Sequence, residues 1–397
     1  MSKKNNTVNN EIKNDNVKEK KKATPWKIAT VTLAAALIAV SCTWAFTANM
    51  NKSASSNADA SVTETVSDTE NQNAEADALS LWMETAPLKS ELTAYVKAVT
   101  DKDSADFIPV ENRIAVFDMD GTLCCETDPG YFDHKLLYHR VMEDPDYKDK
   151  ASDEEKATAA EIKTYFDTGK YPEGLDVKHG KAVATAFKGM TVDEFDAYVK
   201  AYRDTAMDSY TNMTNGQAFY KPMLQVVDYL NANDFTVYIV SGTDRLITRG
   251  LAEGTVNVPL RQMIGSDESL VASNQGDKDG LEYTFSKDDK LITGGEFLIK
   301  NLKMNKVSVI EQEIGEQPVL CFGNSSGDAA MANFTINNNK YKAAAFMLCC
   351  DDTERENGNI EKADKMRTSC EENGYTAVSM KNDWTTIYGD GVTYNKK

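Results

Sequence analysis

Three apolar runs that each end in small or acidic residues constrain this chain more than any other feature. They are IAVFDMDGTL at 114–123, VYIVSGT at 237–243 and LCFGNSSGD, which closes the run over 319–328. Apolar residues at nearly every position mark a strand buried on both faces, the condition of a parallel sheet. In open α/β sheets, ligands sit beyond the carboxyl ends of the strands. Three such ends can therefore converge on one place.

Asp118 and Asp120 leave the first run two residues apart, followed by the turn-permitting Gly121. This spacing suits a metal and a nucleophile better than a surface pattern. A phosphate monoester is a dianion, so carboxylates approach it only with a divalent cation between them. Mg²⁺, a hard ion that prefers oxygen ligands, fits that role. A carboxylate can attack phosphorus to form an aspartyl phosphate, while a second acid protonates the leaving oxygen and later activates water. Charge on the transferring group needs donors and a cation. In this scheme Asp118 is the nucleophile, Asp120 the acid/base, Ser241 a hydroxyl donor and a downstream lysine the cation. Asn324 and Asp328 fall on the far side of the metal.

The net charge of −18 is unevenly spread. Residues 1–27 carry eight Lys against three acids, 28–46 is an uncharged apolar stretch, and 49–79 carries six acids against one Lys. The domain that follows thus keeps the full negative charge, which repels nucleic acid and anionic membrane surfaces. The 28–46 stretch approaches the roughly 20 residues that a bilayer-spanning helix needs. The lysines before it place the N-terminus in the cytoplasm and the rest of the chain outside. An uncleaved membrane anchor is favoured over a cleaved signal peptide, which would make the protein secreted, and a lipoprotein signal ending at Cys42 is weak. Residues 49–78 are polar and acidic, too poor in large apolar side chains to order themselves, and read as a tether. The seven cysteines include two adjacent pairs and show no zinc spacing; mostly buried thiols are expected.

The folded domain is expected over 79–397, opening with a helix at 79–98. Residues 126–219 show no β pattern and read as an inserted helical subdomain, with helices at 133–142, 153–165 and 192–205, the last headed by a capping box at Thr191 and Glu194. Pro222 starts a helix ahead of the strand at 236–240. Beyond it the reading continues as a helix at 244–252, a strand near 262–265, a short β element at 281–285, and helices at 295–301 and 306–314. A strand at 318–322, a strand at 343–348, a helix at 353–372 and a strand at 376–380 complete the alternation.

DMDGT at 118–122, IVSGT at 239–243 and FGNSSGD at 322–328 resemble the first, second and fourth motifs of the haloacid dehalogenase superfamily, nearest its phosphoserine phosphatase-like branch. The resemblance spans about 113–389. It implies an α/β domain, a doubly wound parallel sheet of Rossmann-like type with an inserted helical cap, here behind an N-terminal transmembrane helix. It also implies Mg²⁺-dependent hydrolysis of a small phosphorylated metabolite outside the cytoplasm. By this resemblance Asp118 is nucleophile and metal ligand, and Asp120 is the general acid/base with its main-chain carbonyl on the metal. Ser241 and the Gly242 amide bind phosphate. The third-motif lysine falls among Lys300, Lys303 and Lys306, with Lys306 favoured and Lys300 second. The fourth motif departs from the pattern: Asn324 stands where an acid is usual, with Asp328 four residues on, so weaker metal binding is expected. The cap would close over the site and read the leaving group. Glu126, Arg140 and Arg203 are the specificity candidates, although structural salt bridges are the commoner role of such arginines. His134, His139 and His179 read as ordinary cap residues rather than zinc ligands. A phosphomutase using the same residues and an exported binding protein without turnover are the alternatives. A dehalogenase is disfavoured because it has no use for Asp120.

Overall fold

The computed structural model describes residues 78–395; the basic N-terminus, the 28–46 stretch and the tether after it lie outside them. Among the described residues, no helix is long and apolar enough to cross a membrane. Seven strands form one sheet: β1 (Ile114–Phe117), β2 (Thr236–Asp244), β3 (Met263–Ala272), β4 (Leu291–Ile299), β5 (Leu320–Gly323), β6 (Ala344–Cys349) and β7 (Thr376–Ser379). Their order is β4-β3-β2-β1-β5-β6-β7. Every neighbouring pair is parallel except β3 and β4. The chain winds outward from β1 on one side and returns to β5 on the other, which leaves a crevice beyond the ends of β1 and β5.

The central strands β1, β2, β5 and β6 are buried on both faces, and their side chains alternate between two cores. Ala115, Phe117, Ile239, Phe322 and Phe346 face one, with the helices Pro87–Thr100 and Lys221–Ala232. Val116, Val240, Cys321 and Met347 face the other, with the helices Met304–Glu313, Ala329–Ile336 and Ile360–Asn373. Phe117 stacks on Phe322 at 4.1 Å and Phe322 on Phe346 at 5.2 Å between centroids. Such pairs add about 0.5–1.5 kcal/mol each beyond burial. Register decides the site: Phe117 pairs with Ile239 on one side and Phe322 on the other, so the residues that follow each strand emerge side by side.

Between β1 and β2 lie the helices Phe132–Tyr138, Asp153–Thr168, Leu175–Ala186 and Val192–Arg203. Reciprocal capping boxes start two of them, Ser152 with Glu155 and Thr191 with Glu194, each capping side chain contributing about 1 kcal/mol. Leu175–Ala186 was not expected from the sequence; it starts after Gly174, whose φ of 75° suits a residue without Cβ. Tyr210–Thr211 pairs with Thr393–Tyr394, tying the foot of the helical insertion to the C-terminus.

Four expectations are corrected. No strand forms at 281–285 and no helix at 295–301; instead β4 runs antiparallel to β3 as a long hairpin. The reason is tertiary: Thr293 exchanges backbone hydrogen bonds with Met190 and Gly189, and its hydroxyl donates to Phe187 O at 2.5 Å. The helix expected from 353 begins at Ile360, because the Asp352 carboxylate accepts from the amides of Glu354 and Arg355 and organises a loop first. The helix expected from 79 begins at Pro87, with Leu79 and Trp82 buried in the loop ahead of it. The six described cysteines are free and buried.

Candidate active site

The ends of β1, β2 and β5 open into a cavity of about 350 Å³, lined on the sheet side by Asp118, Asp120, Gly242, Thr243, Asn324 and Asp328. Beneath its floor lies an ammonium. Lys306, with no exposed surface, donates to Asp118 Oδ1 at 2.6 Å, to Asp328 Oδ1 at 2.7 Å and to Val240 O at 2.7 Å. Its three N–H donors are all used, so one side chain fastens the ends of all three motifs. Lys306 lies in the first turn of Met304–Glu313, one of whose faces packs under the sheet, and this is why it reaches the site from below. Lys300 and Lys303, its rivals in the sequence, line the cavity wall instead.

Asp118 continues β1, and its amide donates to Phe322 O at 2.9 Å. Burial, and next the Asp328 carboxylate, push it up to about 7, more than Lys306 pulls it down. Asp120 rises well above the ordinary carboxylate range for the same leading reason, burial, with Asp133 and Asp118 adding their charge. Its Oδ2 accepts from Thr243 Oγ1 at 2.8 Å, while its Oδ1 is buried without a partner. One carboxylate beside a cation and a second whose affinity for a proton is raised are the pairing expected of nucleophile and acid.

Ser241 is fully buried, and its hydroxyl accepts the Thr243 amide at 3.0 Å. The loop is braced from below: Asn301 Nδ2 donates to Ser241 O at 3.0 Å, and Ser266 Oγ to Gly242 O at 2.7 Å. Gly242 itself lines the cavity; a Cβ there would meet Leu302 Cδ2 at 2.6 Å.

The fourth-motif loop is shaped by Asp328, whose Oδ2 accepts from the amides of Asn324 and Ser325 and from Ser325 Oγ at 3.0–3.1 Å. With Lys306 on Oδ1, these donors hold Asp328 below the usual carboxylate range although burial opposes them. Asn324 faces Gly121, where φ is +81° and a Cβ would fall 2.0 Å from Asn324 Nδ2. That amide nitrogen is buried without a partner. Turning the amide over presents Oδ1 to the same gap. Asp118, Asn324, Asp328 and the Asp120 main chain then form an all-oxygen set, which suits a hard divalent cation such as Mg²⁺.

The helical insertion contributes Glu126, Tyr131, Asp133, His134, Tyr171 and Asp176 to the other wall. Glu126 pairs with Lys362 and accepts from Tyr131 OH at 3.2 Å. The two candidate arginines are not at the cavity. Arg140 pairs with Asp144 at 2.6 Å and lies over the Tyr147 ring inside the insertion. Arg203 donates to the carbonyls of Gly250, Leu251 and Glu253, where the helix Arg245–Ala252 ends. Both are structural, because those carbonyls and that carboxylate satisfy them locally.

Sequence reasoning missed Thr243, Asp133, His134 and Tyr171. His134 and His179 lie 45 residues apart on different helices, with no spacing signal to join them. Their ligand atoms and those of Asp133 lie within 4.8 Å of one another. Yet the rings stack face to face at 4.1 Å, 4° from parallel. Lone pairs in parallel planes do not converge on one ion, so this geometry favours two imidazoles bound to one residue, Asp133, one through its carboxylate and one through its main-chain carbonyl. His134 Nδ1 is 2.7 Å from Asp133 Oδ1, and His179 Nε2 is 3.2 Å from Asp133 O.

Burial holds His179 down to about 3, against the pull of Asp133. The unfolded chain takes this proton near 6.5 while the fold refuses it, so stability is lost as pH falls through 6.5. Acidification from pH 7 to 5 should cost up to about 2 kcal/mol through this group. Urea unfolding at the two pH values should show a smaller difference in His179→Gln; an unchanged difference refutes the assignment.

Neither a protein-family model nor a curated protein matches the chain. Among solved structures it is similar to a conserved protein of unknown function from Anaerococcus prevotii, at 15% identity and a TM-score of 0.46, covering 73% of this chain and 91% of that one. It is similar to cytosolic 5'-nucleotidase IIIB bound to cytidine, at 12% and 0.46, covering 77% and 91%. A haloacid dehalogenase family hydrolase from Salmonella enterica is similar at 14% and 0.32, covering 72% and 88%. At these values the chemistry of the site has to come from its own residues.

Proposed function

We propose that this chain is a phosphatase of the haloacid dehalogenase type, hydrolysing a small organic phosphate monoester through an aspartyl phosphate on Asp118. The observation that carries the reading is the buried Lys306 ammonium joined to Asp118 and Asp328 at once, with Asp120 on the same cavity lining and raised in proton affinity by burial. In the first half-reaction an Asp118 oxygen bonds to phosphorus, and Asp120 passes its proton to the departing oxygen. In the second, Asp120 takes a proton from water as that water attacks phosphorus, and Asp118 is released. Lys306 offsets the charge gathered on Asp118, and the place of Gly242 on the cavity lining supports its amide as a donor to the phosphoryl oxygens. Mg²⁺, when bound by Asp118, Asn324, Asp328 and the Asp120 carbonyl, would supply Lewis acidity and shield the dianion from the carboxylates. A cavity of about 350 Å³ suits a small metabolite, and the helices over it support exclusion of water. The basic and then apolar N-terminus supports placing the domain outside the cytoplasm.

The full chain with Mg²⁺ should hydrolyse an aryl phosphate and lose that activity in EDTA. A protein inert towards every aryl and alkyl phosphate tried ends this reading. Asn324→Asp restores a full negative charge to the cation site, so half-maximal activity should need at least about threefold less Mg²⁺. No tightening counts against Asn324 as a ligand.

A further inference from the structure

Three lysines line the cavity and a fourth, Lys306, lies buried beneath it; two of the four are already committed. Lys306 is spent on Asp118, Asp328 and Val240, and Lys362 on Glu126. Lys300 and Lys303 line the same cavity, and neither makes an ion pair or side-chain hydrogen bond among the described residues. The acids nearby have other partners: Asp133 two imidazoles, Asp176 the Tyr171 hydroxyl at 2.8 Å. Lys300 is half-buried, and its charge reaches Asp133 and Asp244 without touching either.

The loop that carries these lysines lies against the phosphate loop, with Leu302 between them packed at Gly242. Lys303 has φ 55° and ψ −127°, a region that residues with a Cβ occupy only when their neighbours hold them there. It is held: its amide donates to Gly327 O at 2.9 Å, and its carbonyl accepts the Lys306 amide at 3.1 Å. Glycine would take this conformation without strain, yet the residue is a lysine at the cavity rim. Strain retained at a binding wall points to a use for the side chain.

We infer that the leaving group of the substrate carries a second anionic group, a carboxylate or a second phosphate, received by Lys300 and Lys303. This rests on the phosphate ester hydrolysis proposed above and narrows it. A neutral leaving group would leave the half-buried Lys300 short of both water and a partner; an anion supplies charge-assisted hydrogen bonds.

Three esters of equal chain length test this on the full chain with Mg²⁺: propyl phosphate, 3-(phosphonooxy)propanoate and propane-1,3-diyl bisphosphate. At least one of the two anionic esters should exceed propyl phosphate in kcat/KM by roughly ten- to a hundredfold, the effect of hydrogen bonds to a charged group; which one leads identifies the anion. Lys300→Gln and Lys303→Gln should each shrink that ratio, and Lys300→Arg should keep it. Lys303→Gly removes the ammonium while suiting the backbone, so it should shrink the ratio in a protein that folds normally. Hydrolysis of all three esters at similar kcat/KM, or a ratio untouched by the Gln and Gly variants, overturns this inference and leaves the phosphatase reading standing. Turnover of none of the three while an aryl phosphate is still hydrolysed overturns this inference alone; inertness towards the aryl ester as well overturns both.

Discussion

Asp118→Asn should abolish hydrolysis of an aryl phosphate, with kcat down by at least about 10⁴-fold, while the fold survives. The first half rests on chemistry: an amide oxygen cannot form the acyl phosphate, and the loss of a covalent nucleophile is of this order. The second rests on the burial of Asp118, which pushes its carboxyl up to about 7 and makes its ionised form costly to keep. In the variant Lys306 keeps Asp328 and the Val240 carbonyl, so the change in unfolding free energy should stay within about 1 kcal/mol. Stopped-assay rates and urea midpoints on the same preparation read the two halves separately. Retention of more than about 1% of activity by a preparation free of wild-type protein would move the nucleophile elsewhere.

Lys306→Met should fail in the opposite pattern, losing both activity and stability. It strands the Asp118 and Asp328 carboxylates in a buried site, and removing one partner of a buried ionic cluster costs about 3–5 kcal/mol. The pH dependence distinguishes this cause from a packing defect. In the wild type the raised Lys306 contributes fully at every pH below its unfolded value near 10.4, so its share is constant over the working range. In the variant both carboxyls titrate higher in the fold than in the unfolded chain, so the folded state binds the extra protons. The deficit should therefore be largest at neutral pH and shrink as pH falls towards the ordinary carboxylate range. Adding Asp328→Asn to Lys306→Met should recover part of the loss at pH 7. A deficit independent of pH and unrelieved by the second change would assign Lys306 a packing role only.

Much of the site can be read in the sequence because its signals are local. Apolar β1, β2 and β5 each end where a carboxylate, hydroxyl or amide begins, and Asp118, Asp120, Gly242, Asn324 and Asp328 all reach the cavity. The capping box at Thr191 is likewise legible, since its partners lie three residues apart. Arg140 and Arg203 misled because a charge pattern does not say what satisfies the charge; one found a carboxylate a helical turn away and the other a helix end. The β3–β4 hairpin was misread because 291–299 has no strong period of its own, and its pairing partners lie in β3 and in the helical insertion.

What the chain determines by itself is therefore the buried strands, the caps and the residue types at the strand ends, properties that depend on neighbours within a few positions. What only the tertiary structure decides is which lysine becomes the buried cation, which histidines stack on each other beside Asp133, and which ammoniums are left without a partner. Those outcomes turn on side chains separated by 22 to 188 residues in sequence. Whether such groups meet depends on register and packing, which no local pattern records.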